Sequence, residues 1–160
     1  MQIRFKKGSG GPDTLHCTRD DGTQTWATIP ERFGPMHDLG HYAVETTLGL
    51  NEGFYGLLAQ GYDLSSFVEE DPRTWLEEEG LLAETLVMAL QYEIAGVAAP
   101  EAYMEGVASA CRGLNISAPE LTGDQVERMR VRLRELWARW EALAPGESLT
   151  LTFEPELRAG

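Results

Sequence analysis

Both ends of this chain are patterned in a period of two, and the residues between them in a period of three to four. Ile3 and Phe5 alternate with polar neighbours, and two further runs, residues 14–19 and 23–29, flank Asp20-Asp21-Gly22. Asp and Gly tolerate the left-handed turn conformation, so this arrangement is a strong β-hairpin signal. Near the other end Ser148-Leu149-Thr150-Leu151-Thr152-Phe153 alternates again. Strands at the two ends with helices between them predict an α+β fold. A small antiparallel sheet, made of an N-terminal strand, the hairpin and a C-terminal strand, packs with four or five α-helices. A length of 160 residues suits a single domain over 1–160, since domains run to about 100–200 residues.

Helix boundaries are marked by proline and by capping residues. Gly34-Pro35 starts a helix that runs to Gly49, with proline in the first turn, where its missing N–H is tolerated. Asp71-Pro72 is expected to cap a longer helix reaching residues 94–96, and Pro100 to open another that ends near Gly113. Thr122 followed by Gln125 has the spacing of a capping box. In the helix that follows, Val126, Met129, Leu133, Leu136, Trp137, Trp140 and Leu143 recur at three- and four-residue steps. Arg128, Arg132, Arg134 and Arg139 lie mostly elsewhere on it, as an anion site or as a solvated face answering the acidic stretch 69–79. Trp137 and Trp140 are core residues or the contact to a second copy.

A net charge of −13 excludes a general nucleic-acid binder and disfavours an anionic membrane surface. The longest apolar stretch, residues 81–97, is interrupted by Glu84, Gln91 and Glu93, so it reads as a buried helix and not a membrane span. No apolar leader follows Met1. Cys17 and Cys111 are the only cysteines, too few for a disulfide scaffold or a cysteine zinc ribbon. A cytoplasmic location is expected. Gly-rich phosphate loops and nucleophile elbows are absent from the sequence.

One segment carries chemistry. His37-Asp38-Leu39-Gly40-His41 places two imidazoles about 40° apart around a helix and one turn apart along it. Neutral imidazoles held in this way can share a divalent cation, each at about 2.0–2.1 Å. The segment resembles the H-E-x-x-H helix of zincin metallopeptidases, with Asp38 in the place of the glutamate that activates water. That resemblance implies zinc or another divalent metal, hydrolytic chemistry on a small-molecule or peptide substrate, and Asp38 as proton acceptor. The same string also resembles the His-Asp pair of HD-domain phosphohydrolases, which additionally need an upstream helical histidine. Here the only upstream histidine, His16, lies on an expected strand. A longer likeness, carried by residues 37–45 with Leu48-Gly49-Leu50 and Gly53-Phe54-Tyr55-Gly56-Leu57, is to a family of small uncharacterised bacterial proteins. It implies a grouping and no role.

The third ligand is open. Glu45 lies about 80° from His37 around the helix and about 12 Å along it, which suits a hydrogen-bond partner of the histidines, or a metal ligand if His37 is not one. Zincins of the glutamate class draw their third ligand from a later helix, and Glu84 is the candidate, since a carboxylate inside Leu82-Ala83-Glu84-Thr85-Leu86 needs a partner. Glu93 is the alternative, about half a turn out of phase with Glu84, and His16 is a distant one.

A different reading keeps both histidines structural, in a non-catalytic interaction protein or a homo-oligomer. Val44 and Leu48 fall within about 20° of the His37 direction, which predicts a buried face there. Gly40 inside the helix costs about 1 kcal/mol relative to Ala, a sign that something packs close to its backbone. Residues 51–63, with three glycines, Phe54, Tyr55 and Tyr62, read as a short helix with tight turns or as an aromatic pocket wall.

Overall fold

The computed structural model describes residues 1–31 and 34–155. Strands β1 (Gln2–Lys6), β2 (Thr14–Thr18), β3 (Gln24–Thr28) and β4 (Ser148–Thr152) form one antiparallel sheet in the order β3-β2-β1-β4. The hairpin turns at residues 20–22, where Gly22 takes φ 86°, a left-handed conformation that glycine adopts without strain. Ile3 faces Cys17 and Leu151, and Phe5 faces Leu15 and Leu149; all six are buried. The opposite face carries Arg4, His16 and Trp26 in register across three strands. The period of two thus assigns one face of the sheet to the core.

Among the described residues six helices lie between β3 and β4: α1 (Gly34–Leu48), α2 (Phe54–Gln60), α3 (Ser66–Glu69), α4 (Glu78–Ile94), α5 (Tyr103–Leu114) and α6 (Gly123–Glu141). The number exceeds the expected four or five because α2 and α3 are short pieces between α1 and α4. The fold is α+β. α1 lies against both α4 and α6 and positions the histidines. Gly40 makes the first of these contacts close. A Cβ there would stand 3.0 Å from Val87 Cγ1 of α4. α6 is capped by the reciprocal Thr122–Gln125 box. It buries Val126, Met129, Leu133, Leu136 and Trp140, the last edge-on to Phe5 of the sheet at 6.4 Å.

One expectation is corrected. Asp71 does not cap the long helix. Its carboxylate accepts the Arg73 N–H at 3.0 Å and caps a single 3₁₀ turn, Pro72–Thr74. Trp75 then leaves the helical path to stack on Tyr62 at 5.8 Å and tilt against Phe67 at 5.1 Å, and α4 starts afresh at Glu78. α5 ends at Leu114, next to the expected Gly113, with Asn115 in the left-handed cap position at φ 56°. Two of the arginines of α6 have partners outside residues 69–79. Arg128 pairs with Asp124 on its own helix and Arg132 donates to Thr46 Oγ1 of α1 at 2.7 Å. Cys17 and Cys111 are both buried and both free thiols. Among the described residues no helix is long and apolar enough to cross a membrane.

Candidate metal centre

α1 carries His37 and His41 one turn apart, with ring centroids 4.9 Å from each other and planes at 77°. Both rings turn their Nε2 atoms to α4. His37 Nε2 is 3.5 Å from Glu84 Oε2, and His41 Nε2 is 3.0 Å from Glu84 Oε1. One ligand atom from each of His37, His41 and Glu84 can be chosen so that all lie within 4.8 Å of one another. Gly40 is what permits this, since the close approach of α1 to Val87 brings Glu84, three residues earlier on α4, up to the rings.

The far sides of the rings are held as well. His37 Nδ1–H donates to Gln91 Oε1 at 3.1 Å, and His41 Nδ1–H donates to Glu45 Oε1 at 3.0 Å. The other Glu45 oxygen accepts the backbone N–H groups of Tyr55 and Gly56 at 3.0 and 3.1 Å, at the start of α2. Gly53 makes room for that carboxylate, for a Cβ there would stand 2.5 Å from Glu45 Cδ. These acceptors hold a proton on Nδ1, so Nε2 is the nitrogen that is presented to a cation once it is deprotonated.

His41 Nε2 supplies the test of fit. It is buried and lies 3.0 Å from Glu84 Oε1, an ion pair while the ring is protonated, but the contact is not a well-aligned hydrogen bond. A cation between His37, His41 and Glu84 would take the place of that proton and meet one ligand atom from each residue. Two imidazoles and a carboxylate are a donor set suited to zinc and to other first-row divalent ions.

Electrostatics favour a cation too. Burial pulls the His41 imidazole down, but Glu84 and Glu45 outweigh it and hold its pKa up at about 10. Burial pushes Glu84 up, yet the two imidazoles keep its carboxyl well below the usual carboxylate range. Burial raises Glu45 in spite of its bonds to His41 and the backbone. Asp38 is pushed up to about 6 by burial, with Glu84 adding to the effect and His37 and His41 opposing it.

The sequence-nominated residues fall into separate places. His37, Asp38, His41 and Glu84 line one cavity of about 830 Å³. Side-chain exposures of 21% for His37 and 23% for Glu84, against 1% for His41, put the first two at its edge and His41 at its back. The expectation of a closed face around His37 is therefore corrected: Val44 is fully buried further along α1, but His37 lies in the first turns, where the helix meets the cavity. Glu45 stands behind His41, as its hydrogen-bond acceptor. Glu93 turns away to Arg130 of α6, at 2.5 and 3.0 Å. His16 is outside the group, stacked on Trp26 on the outer face of the sheet at 5.6 Å. Phe54 lies 5.2 Å from the His41 ring and lines the cavity, so α2 is both a short helix and part of an aromatic wall.

Sequence reasoning missed Gln91 and Gly53. The only trace of Gln91 was its polarity inside an apolar helix, and Gly53 carried no signal beyond being one of three nearby glycines. Comparisons of the chain with protein-family models, with curated proteins and with solved structures give no match.

Proposed function

We propose that this protein binds zinc, or another divalent cation of similar ligand preference, through His37 Nε2, His41 Nε2 and the Glu84 carboxylate, and uses it for hydrolysis in the manner of the zincin helix. The observation that carries this reading is the convergence of His37, His41 and Glu84, one ligand atom of each within 4.8 Å of the others, with the His41 ring held from behind by Glu45. Gln91 does the same for His37. Such acceptors fix the ligating tautomer and strengthen the donor. A zinc ion in that position supplies a Lewis acid and lowers the pKa of a bound water to about 7. Asp38, in the wall of the same cavity, takes the proton of the attacking water and passes it to the leaving group.

Metal analysis of protein prepared without a histidine tag tests the first half. One ion per chain is expected, lost in His37→Ala, His41→Ala and Glu84→Gln. Absence of any ion after zinc supplementation would leave the histidines structural and overturn the reading. Asp38→Asn tests the second half on a panel of ester and amide substrates. It should retain the ion and lose about 100-fold or more in turnover, the usual worth of a positioned proton acceptor. Unchanged turnover removes Asp38 from that role.

A further inference from the structure

We infer that the substrate of this metal site is the ester or amide of a straight-chain fatty acid, its alkyl chain lying in the groove that runs along α4 away from Glu84. The inference rests on the metal-dependent reading above and names the substrate class for it.

The groove is part of the cavity that holds His37, His41 and Glu84. Thr85, Met88 and Tyr92 follow one another at three- and four-residue steps, so a single stripe of α4 forms its floor. On the α5 side the lining residues are Ala102, Gly106 and Ala110, spaced four apart. A Cβ on Gly106 would meet nothing within 4 Å. No packing therefore accounts for this glycine inside a helix, where it costs about 1 kcal/mol. Its effect is to leave a trough beside α4. Small residues alone would not make a site, but this trough shares its cavity with the buried His41 Nε2, which faces Glu84 without a well-aligned hydrogen bond, and with the converging ligand atoms of His37, His41 and Glu84.

Shape and polarity select the occupant. From Glu84 to Glu93 the floor runs about 13 Å, the length of roughly ten methylenes. Glu93 at the far end is engaged by Arg130 and offers nothing to a polar tail. An extended peptide laid against these apolar walls would leave its own N–H and C=O groups unpaired, at considerable cost. An alkyl chain has no such groups. With its carbonyl at the His37–His41–Glu84 end, water adds to the acyl carbon and the C–O or C–N bond breaks. The proton taken from water goes to the departing alcohol or amine, and a free fatty acid remains.

Straight-chain hydroxamic acids of about four to about twelve carbons, titrated calorimetrically into the zinc-loaded full chain, test this. Affinity should rise about fourfold per added methylene up to roughly ten carbons and then level off. Gly106→Phe fills the trough at an exposed position, and Ala110→Phe does so one turn further on. Each should keep one zinc per chain and lose the chain-length dependence, about tenfold or more at ten carbons. If hydroxamates bind the zinc protein with one affinity at every length, or if the filled variants keep the full dependence, the acyl groove is wrong and the metal site stands. Failure to take up zinc overturns the metal reading, and this inference with it.

Discussion

Glu84 and Glu93 sit on the same helix, each among apolar neighbours, and each has found a nitrogen partner on another helix. The partners differ in kind. Glu93 meets the Arg130 guanidinium at 2.5 and 3.0 Å, and Arg130 in turn donates to the Pro100 carbonyl at 3.0 Å and lies over the Tyr103 ring at 5.7 Å. An arginine keeps its charge at any pH a folded protein meets, so that pair is closed to exchange. Glu84 meets the Nε2 atoms of two imidazoles, and the His41 ring can give up its proton and turn its lone pair to a cation. A buried carboxylate is structural when its counter-charge is permanent and available for ligation when its counter-charge can leave.

The largest expected effect breaks the closed pair. Arg130→Ala leaves the buried Glu93 carboxylate unpaired and should cost about 3–5 kcal/mol in urea unfolding. Glu84→Gln in the metal-free protein should cost only about 1–2 kcal/mol, because His41 can release its proton when the carboxylate is gone. With zinc the order of importance reverses. At a hundredfold excess over its dissociation constant the ion should stabilise the natural protein by about 2.7 kcal/mol, and Glu84→Gln should lose that increment while Arg130→Ala keeps it. Equal zinc stabilisation in both variants would erase the distinction between the two carboxylates.

The pH dependence sharpens the same contrast. His41 is held at about 10, above its usual value near 6.5, by Glu84 and Glu45. In the metal-free protein these contacts are fully stabilising below about pH 6.5 and are lost as the pH rises through about 10. Zinc uptake runs the other way, since His41 must give up its proton to ligate. Apparent zinc affinity should therefore rise about tenfold per pH unit between pH 7 and 9 and flatten near 10. Titrations in buffers of different ionisation enthalpy should count about one proton released per zinc. A flat affinity over that interval would show that His41 carries no proton in the free protein.

The legible parts of the fold and the site were those written in local pattern. Alternation at Ile3 and Phe5 and at 148–153 is a property of a few neighbouring residues, and so is the Thr122–Gln125 cap. The His37–His41 spacing and the oddity of a carboxylate at Glu84 are also local, and both sets of side chains turn up at one cavity. What escaped depends on contacts distant in sequence. Whether Asp71 starts a long helix or a single turn is decided by where the Trp75 ring finds Tyr62 and Phe67. Gln91 is identified as the His37 partner only when α1 and α4 are side by side. Arg130 is one arginine among several on α6 until Glu93 faces it, and Gly53 matters only because the Glu45 carboxylate occupies the space its Cβ would take.

The smallest expected effect on stability, and the most selective on the site, lies at Gly40. Alanine there removes the conformational cost of a glycine in a helix, worth about 1 kcal/mol in favour of the variant. Its Cβ would stand 3.0 Å from Val87 Cγ1, so α1 and α4 must separate by a few tenths of an ångström or Val87 must shift its side chain. The two effects oppose, and the net change in urea unfolding should stay within about 1 kcal/mol. The metal site has no such compensation, because His41 and Glu84 belong to the two helices being pushed apart while a cation needs bonds of about 2 Å to both. Gly40→Ala should therefore weaken zinc binding about tenfold in competition with a chelator, at nearly unchanged stability. At the Arg130–Glu93 pair, which joins α4 to α6, the same substitution should change nothing. If Gly40→Ala bound zinc as tightly as the natural protein, the close approach of α1 to α4 would be a packing detail and not the device that brings a carboxylate within reach of both histidines.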